Sequence, residues 1–202
     1  MKRTLFLVSV LALSFSTLAQ DEEEKEKGAF KKNLFTGGSV SLAFYSNTFL
    51  IGANPVFGYS LTNWADAGIV VNYNYTTYRD VSVFNDRLRQ TDYGGGVFVK
   101  LYPVRFLFVQ VQAEKNNITQ KYIPASGSVP SITKLDANSF LVGGGYTTGR
   151  NGKGGPPFYY LSLLFDVSGD RNSPYTDGFG RTIPIIRAGL QIPLFQGMGN
   201  KN

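Results

Sequence analysis

Residues 187–194 read Arg-Ala-Gly-Leu-Gln-Ile-Pro-Leu, so every second residue is apolar. In an extended chain successive side chains point to opposite faces. Ala188, Leu190, Ile192 and Leu194 therefore form one row, and Arg187, Gly189, Gln191 and Pro193 the other. The same period of two recurs in eight segments, at about residues 34–45, 49–61, 67–78, 89–102, 106–114, 137–147, 158–168 and 187–194. In the third, Ile69, Val71, Tyr73 and Tyr75 oppose Gly68, Asn72, Asn74 and Thr76. In the seventh, Tyr159, Leu161, Leu163, Phe165 and Val167 oppose Ser162, Asp166 and Ser168. Alternation of this kind predicts strands and disfavours helices.

The nature of the second row decides what the sheet faces. A soluble eight-stranded barrel of lipocalin type turns its apolar row inward and covers the outside with charge. Here the second row is Gly, Ser, Asn, Gln and Thr with few charges. Small polar side chains suit a narrow lumen, which leaves the apolar row for lipid. Strands of about ten residues cross a bilayer when tilted. They must close into a ring, because an open edge in hydrocarbon leaves backbone groups unsatisfied. The expected fold is thus an all-β, eight-stranded antiparallel transmembrane β-barrel.

Link lengths alternate in support. Those at 62–66, 103–105 and 148–157 are the expected periplasmic turns, and those at 79–88, 115–134 and 169–182 the expected external loops. The link 46–48 is short for its side and 148–157 is long for its own. Tyr59, Trp64, Tyr146 and Tyr159 are expected at the periplasmic interface, and Tyr75 and Tyr93 at the outer one. Pro55 and Pro193 each lack a ladder donor, so bulges are expected there.

An N-terminal segment sets the compartment. Lys2 and Arg3 precede an apolar stretch from Leu5 to Leu18, and Ser16-Thr17-Leu18-Ala19 offers a cleavage point. The stretch is short for a spanning helix and reads as a cleaved signal peptide at 1–19. The acidic run Asp21-Glu22-Glu23-Glu24 opens a polar periplasmic tail at 20–33, ahead of the barrel at 34–196 and a short tail at 197–202. Loss of Lys2 and Arg3 leaves 18 basic and 14 acidic residues, a charge of +4 instead of +6. These charges are scattered, unlike the gathered basic face of a nucleic-acid binder. With no Cys and no His, disulfides, thiolate metal sites, a lipoprotein anchor and a Ser-His-Asp triad are all excluded.

Two segments carry a family likeness: Asn54-Pro55-Val56-Phe57-Gly58-Tyr59, and Tyr93-Gly94-Gly95-Gly96-Val97-Phe98-Val99-Lys100-Leu101-Tyr102-Pro103. They resemble the P-x-x-G-Y and G-x-F-x-R-Y-Y stretches of the outer-membrane β-barrel domain family of small OmpA/OmpX-type, porin-like proteins, with Lys100 in place of Arg. The last strand resembles the insertion signal of such barrels, carried by Arg187, Gly189, Ile192 and Leu194. The resemblance implies a Gram-negative outer-membrane location and, as partners, membrane lipid and lipopolysaccharide. It also implies the barrel-assembly machinery during biogenesis, with an outer-membrane protein as a further candidate partner.

Chemistry is sparse. Asp92, Lys100, Glu114, Asp166 and Arg187 fall in the lumen row, where unpaired charge is costly. Neighbouring strands suggest Lys100 with Glu114 or Asp92, and Arg187 with Asp166. The expected role is a lumen charge network that fills the barrel; the alternative is a narrow ion or solute path. Eight strands enclose only enough room for side chains. The glycine runs at 94–96, 143–145 and 152–155 lack the Lys-Ser/Thr ending of a phosphate loop. Asp170 and Asp177 leave a rim enzyme as a remote alternative, and their spacing is not that of a calcium loop. No catalytic, cofactor or metal residue is expected. The function read from sequence is structural or interactive, with the external loops as recognition surface.

Overall fold

The structure is a computed structural model that describes residues 30–45, 47–177 and 180–195. The expected signal peptide, most of the acidic tail and the end from 196 onward lie outside the described residues. Among the described residues eight strands follow one another: β1 (Leu34–Tyr45), β2 (Thr48–Thr62), β3 (Ala65–Arg79), β4 (Arg87–Val104), β5 (Leu107–Ile123), β6 (Ser131–Thr147), β7 (Phe158–Asp166) and β8 (Ile185–Pro193). Each pairs with the next, and β8 pairs antiparallel with β1, which closes the ring. Closure removes the exposed edge that an open sheet would present. Among the described residues no helix is long and apolar enough to cross a membrane.

The predicted faces hold. In β7 burial alternates at every residue, with Phe158, Tyr160, Ser162, Leu164 and Asp166 inside. Across the barrel the outward row is apolar and exposed, including Val40, Phe57, Ile69, Val97, Val109 and Leu161. The inward row includes Asn54, Asp66, Asn72, Asn74, Thr76 and Asp92, each 1% exposed or less. This is the reverse of a water-soluble barrel, whose polar residues face solvent.

Small residues let the ring close around so narrow a lumen. A Cβ on Gly96 would strike the carbonyl of Ala113, and one on Gly143 the carbonyl of Leu163. The glycine runs in β4 and β6 are therefore places where adjacent backbones approach closely, not ligand loops. Elsewhere inward glycines receive aromatic rings from the directly opposed residue: Phe35 on Gly58, Phe98 on Gly68 and Tyr160 on Gly189. Covering a strand glycine with a cross-strand ring stabilises strongly coiled sheets.

Three expectations need correction. No bulge forms at Pro55: the β2–β3 register is the same before it (Ala53↔Tyr73) and after it (Val56↔Val70). Pro193 ends β8, where a missing donor is tolerated. The link expected at 115–134 is mostly sheet, because β5 and β6 remain paired from Tyr122↔Ser131 downward and leave only residues 124–130 as loop. The expected turn at 62–66 shrinks to residues 63–64, and Asp66 belongs to β3. Residues 47, 80–86, 124–130, 167–177 and 180–184 thus crowd one end of the barrel, the loop end. Residues 63–64, 105–106 and 148–157 form the other, the turn end. Residues 30–33 sit there too, where Phe30 stacks on Tyr59 with ring centres 5.0 Å apart.

Candidate functional site

Asp92, Lys100, Glu114, Asp166 and Arg187 all point into the lumen, each at most 4% exposed. Their partners differ from those expected. Arg187 does not pair with Asp166, which lies four residues beyond Ser162, the residue facing Arg187 in register. Instead Arg187 on β8 reaches across the lumen to Glu114 on β5, Nη2 to Oε1 at 3.3 Å. Its Nε also donates to Ser41 Oγ at 3.2 Å. Glu114 further accepts from Asn116 at 3.2 Å and from Gln112. A buried guanidinium with its carboxylate so fully engaged is stable where either alone is not.

The third partner comes from outside the strands. Tyr175, in the long link 167–184, is fully buried, and its hydroxyl donates to Glu114 Oε2 at 2.7 Å. Asp166 is turned to the same link: it accepts from Ser173 Oγ, and from the amides of Phe140 and Ser168. Ile183 and Ile185 pack with Tyr175, Leu50, Leu141 and Leu164 in an apolar cluster inside the ring. Residues 173–177 of the segment expected as an external loop at 169–182 therefore form an inward stopper, while residues 169, 171, 172 and 180–182 are exposed. Asp92 accepts from Asn74 Nδ2 at 2.7 Å and forms no ion pair among the described residues.

Lys100 likewise lacks the expected carboxylate. Glu114 faces Gly96, four residues away from Lys100 along β4. The Lys100 ammonium lies 3.8 Å from the ring centre of Tyr160, 5.2 Å from Phe108 and 5.5 Å from Phe98. Three aromatic faces around one desolvated cation supply quadrupole attraction in place of a counter-ion.

At the turn end lies an ion pair that the sequence reading missed. Arg150, in the long turn 148–157, donates from Nη2 to Asp66 Oδ1 at 2.6 Å and from Nε to Oδ2 at 3.2 Å. The guanidinium also donates to the carbonyls of Thr62 (2.9 Å) and Asn63, and lies 4.6 Å from the ring centre of Tyr102. Gln191 completes the group by donating to Asp66 at 2.9 Å. The unexpected length of the turn is what lets Arg150 fold back under the lumen. The lumen is thus filled at three levels: Arg150–Asp66, caged Lys100, and Arg187–Glu114–Tyr175. The void left beside Lys100 is about 10 Å³, no more than one water requires.

No family model matches the chain, and no curated protein matches it either. Among solved structures, Ail, the attachment invasion locus protein of Yersinia pestis, is similar over 80% of this chain and 96% of its own, at 10% identity and a TM-score of 0.44. That structure holds Ail in complex with the heparin analogue sucrose octasulfate. Neisserial surface protein A is similar over 80% of this chain and 96% of its own, at 10% identity and a TM-score of 0.42. The N-terminal β-barrel domain of Pseudomonas aeruginosa OprF is similar over 81% and 98%, at 15% identity and a TM-score of 0.40.

Above the stopper the loop end opens into a cavity of about 880 Å³, lined among others by Tyr78, Arg79, Gln90, Gln120, Arg171 and Asn172. Its wall includes the loop 80–86, which Asp86 organises. Enclosure by the loop opposes ionisation of Asp86. Donation from the amides of Val83, Ser82 and Val81 and from the Tyr122 hydroxyl outweighs it, so the carboxyl is held below its ordinary value of 3.8. Because the folded value is depressed, the carboxylate's contribution is complete above the unfolded value and is lost as pH falls through the folded one. We expect the amide resonances of Val81, Ser82 and Val83 to move together with a midpoint below the ordinary carboxylate value, and Asp86→Asn to give the shifted positions at neutral pH. Titration of these amides at ordinary carboxylate values would contradict this.

The remaining nominated residues divide by role. Tyr93, Tyr146, Tyr159 and Trp64 are exposed outward aromatics, while Tyr59 and Tyr75 are half-buried. In the proposed assembly signal, Ile192 faces outward, and Gly189 is required by the Tyr160 ring. Leu194 donates its amide to the carbonyl of Leu34, joining the chain's two barrel ends. Asp170 and Asp177 are occupied in turns: Asp170 accepts from the amides of Asn172 and Asn138, and Asp177 pairs with Arg181 at 2.7 Å.

Proposed function

We propose that this chain is an integral β-barrel of a Gram-negative outer membrane, of structural or interaction type, exported by its N-terminal signal and assembled by the barrel-assembly machinery. The carrying observation is the exposed apolar row on the outward face of the ring. A continuous belt of Val, Ile, Leu, Phe and Tyr side chains exceeds what a soluble monomer leaves in water, and hydrocarbon is the solvent that fits it. A conducting pore is the less favoured reading, because charged and aromatic side chains block the lumen at three levels. A rim enzyme is disfavoured by the occupied carboxylates of Asp170 and Asp177.

Contact with partners falls to the loop end. Phe84 in residues 80–86 and Val129 in residues 124–130 are each 89% exposed. These two tips, with the exposed residues 169, 171, 172 and 180–182, form the recognition surface. The full chain is expected in the detergent-extracted outer-membrane fraction, with gel migration that changes on heating. In planar bilayers it should show no steady single-channel conductance. Recovery as a soluble protein would refute the membrane assignment, and stable conductance would refute the filled lumen.

A further inference from the structure

We infer that the lumen binds a single halide ion between Lys100 and Arg187. The two side chains line one void of about 10 Å³, between the caged Lys100 and the level of Arg187, Glu114 and Tyr175. Each is 3% exposed. An ammonium carries three donors and a guanidinium five, and neither can accept. Among the described residues no oxygen accepts from Lys100 Nζ. Arg187 spends Nε on Ser41 and Nη2 on Glu114 and Tyr175, which leaves Nη1 unused. The N–H groups of two buried cations thus lack acceptors beside the same void. The rings around Lys100 attract its charge, but N–H contact with an aromatic face is a weak substitute for a hydrogen bond. A buried cation left in that condition is costly.

The neighbouring carboxylates are committed elsewhere. Asp66 stands directly opposite Lys100 in the β3–β4 ladder, yet its oxygens accept from Arg150 and Gln191. Glu114 accepts from Gln112, Asn116 and Tyr175 as well as from Arg187 Nη2. Asp92 lies eight residues along β4 from Lys100, toward the loop end. Asp166 lies four residues beyond Ser162 along β7, in the same direction, and is held by Ser173 and two amides. Around the void, then, Lys100, Arg150 and Arg187 meet only Asp66 and Glu114, an excess of one positive charge. One monovalent anion closes that balance.

The space sets the class of ligand. A void of about 10 Å³ admits one particle near the size of water, which shuts out phosphate, sulfate and carboxylates. Ser39 also lines it, with a hydroxyl that can rotate to donate. Asn54, another lining residue, directs Nδ2 to Ser41 Oγ at 2.7 Å and presents almost no Oδ1 surface to the void. A water would accept from the cations without cancelling the charge excess. A halide does both, and its bonds to ionised donors are of the strong, charge-assisted kind. Because the site is walled by five strands, the ion enters as the ring closes. This inference needs only the closed ring and goes beyond the membrane reading.

The test refolds the full mature chain in neutral detergent with bromide as the anion. Crystals of that protein should give one anomalous peak inside the ring, between Lys100 Nζ and Arg187 Nη1. A second measurement follows unfolding by Trp64 fluorescence, with chloride varied and ionic strength held constant by gluconate. Each tenfold rise in chloride above the dissociation constant should lower the unfolding constant tenfold. Lys100→Met removes the charge excess, and Ser162→Val fills the void while both cations remain. Each should abolish the peak and the chloride dependence. The control Lys31→Gln/Lys32→Gln/Arg105→Gln removes three exposed cations at the turn end and should keep both. A water in place of the bromide, chloride dependence that survives in Lys100→Met, or dependence lost in the control would each overturn the proposal. Should one variant fail to close its ring, judged by gel migration that changes on heating, the other carries the comparison. The bromide peak in the unsubstituted chain decides independently of both.

Discussion

Glu114→Ala should destabilise the barrel by about 3–5 kcal/mol, because it leaves the Arg187 guanidinium buried and uncompensated. The substitution also removes the acceptor for Tyr175, Gln112 and Asn116, so the stopper link loses its anchor together with the ion pair. Trp64, the single tryptophan, is exposed at the turn end and reports unfolding from lipid vesicles by fluorescence. Two further variants separate the causes. Glu114→Gln keeps an oxygen to receive Tyr175 while removing the charge, and should fall between the parent and Glu114→Ala. Glu114→Leu combined with Arg187→Met removes both charges and should recover most of the loss, as replacement of a buried pair by apolar side chains commonly does. A loss below about 1 kcal/mol in Glu114→Ala would place the pair among those worth no more than a surface salt bridge.

The second large effect lies at the turn end and is asymmetric. Arg150→Ala leaves Asp66 fully buried with Gln191 as its remaining donor, and should cost about 3–5 kcal/mol. Asp66→Ala leaves Arg150 facing the carbonyls of Thr62 and Asn63 and the ring of Tyr102, so its cost should be smaller, about 2 kcal/mol. Arg150→Ala should also free the turn 148–157, which limited proteolysis would detect as a cut near residues 151–155. Equal losses in the two variants would show that the carbonyl and aromatic contacts of Arg150 contribute little.

The barrel was legible because its rule is local: a period of two needs no knowledge of neighbours. Inward placement of all five nominated charges followed from parity alone. Pairing did not, because it depends on register and on which strands face each other across the ring. Arg187 meets Glu114 from a strand that is not its neighbour, and no sequence spacing encodes that distance. The upper halves of β5 and β6 carry no strand signal in the sequence, because Lys115, Asn117, Lys121 and Lys134 are polar on the outward face and break the apolar alternation. Asp66 was recoverable: it shares the parity of Gly68, Asn72 and Asn74, and a buried carboxylate calls for a cation. Arg150 and Tyr175 were not, since each lies in irregular chain that folds back into the lumen.

The position of the stopper in the chain has a consequence for assembly. Residues 167–184 immediately precede β8, and the first cation of β8, Arg187, bonds Tyr175 of the stopper, Glu114 of β5 and Ser41 of β1 at once. Ser41 faces Arg187 in the β1–β8 ladder, which exists only after the two ends of the chain have met. Arg187 therefore ties the filling of the lumen to the sealing of its wall. A chain truncated before Arg187 would hold seven strands and the stopper's bonds to Glu114 and Asp166, yet lack the residue that ties both to β1.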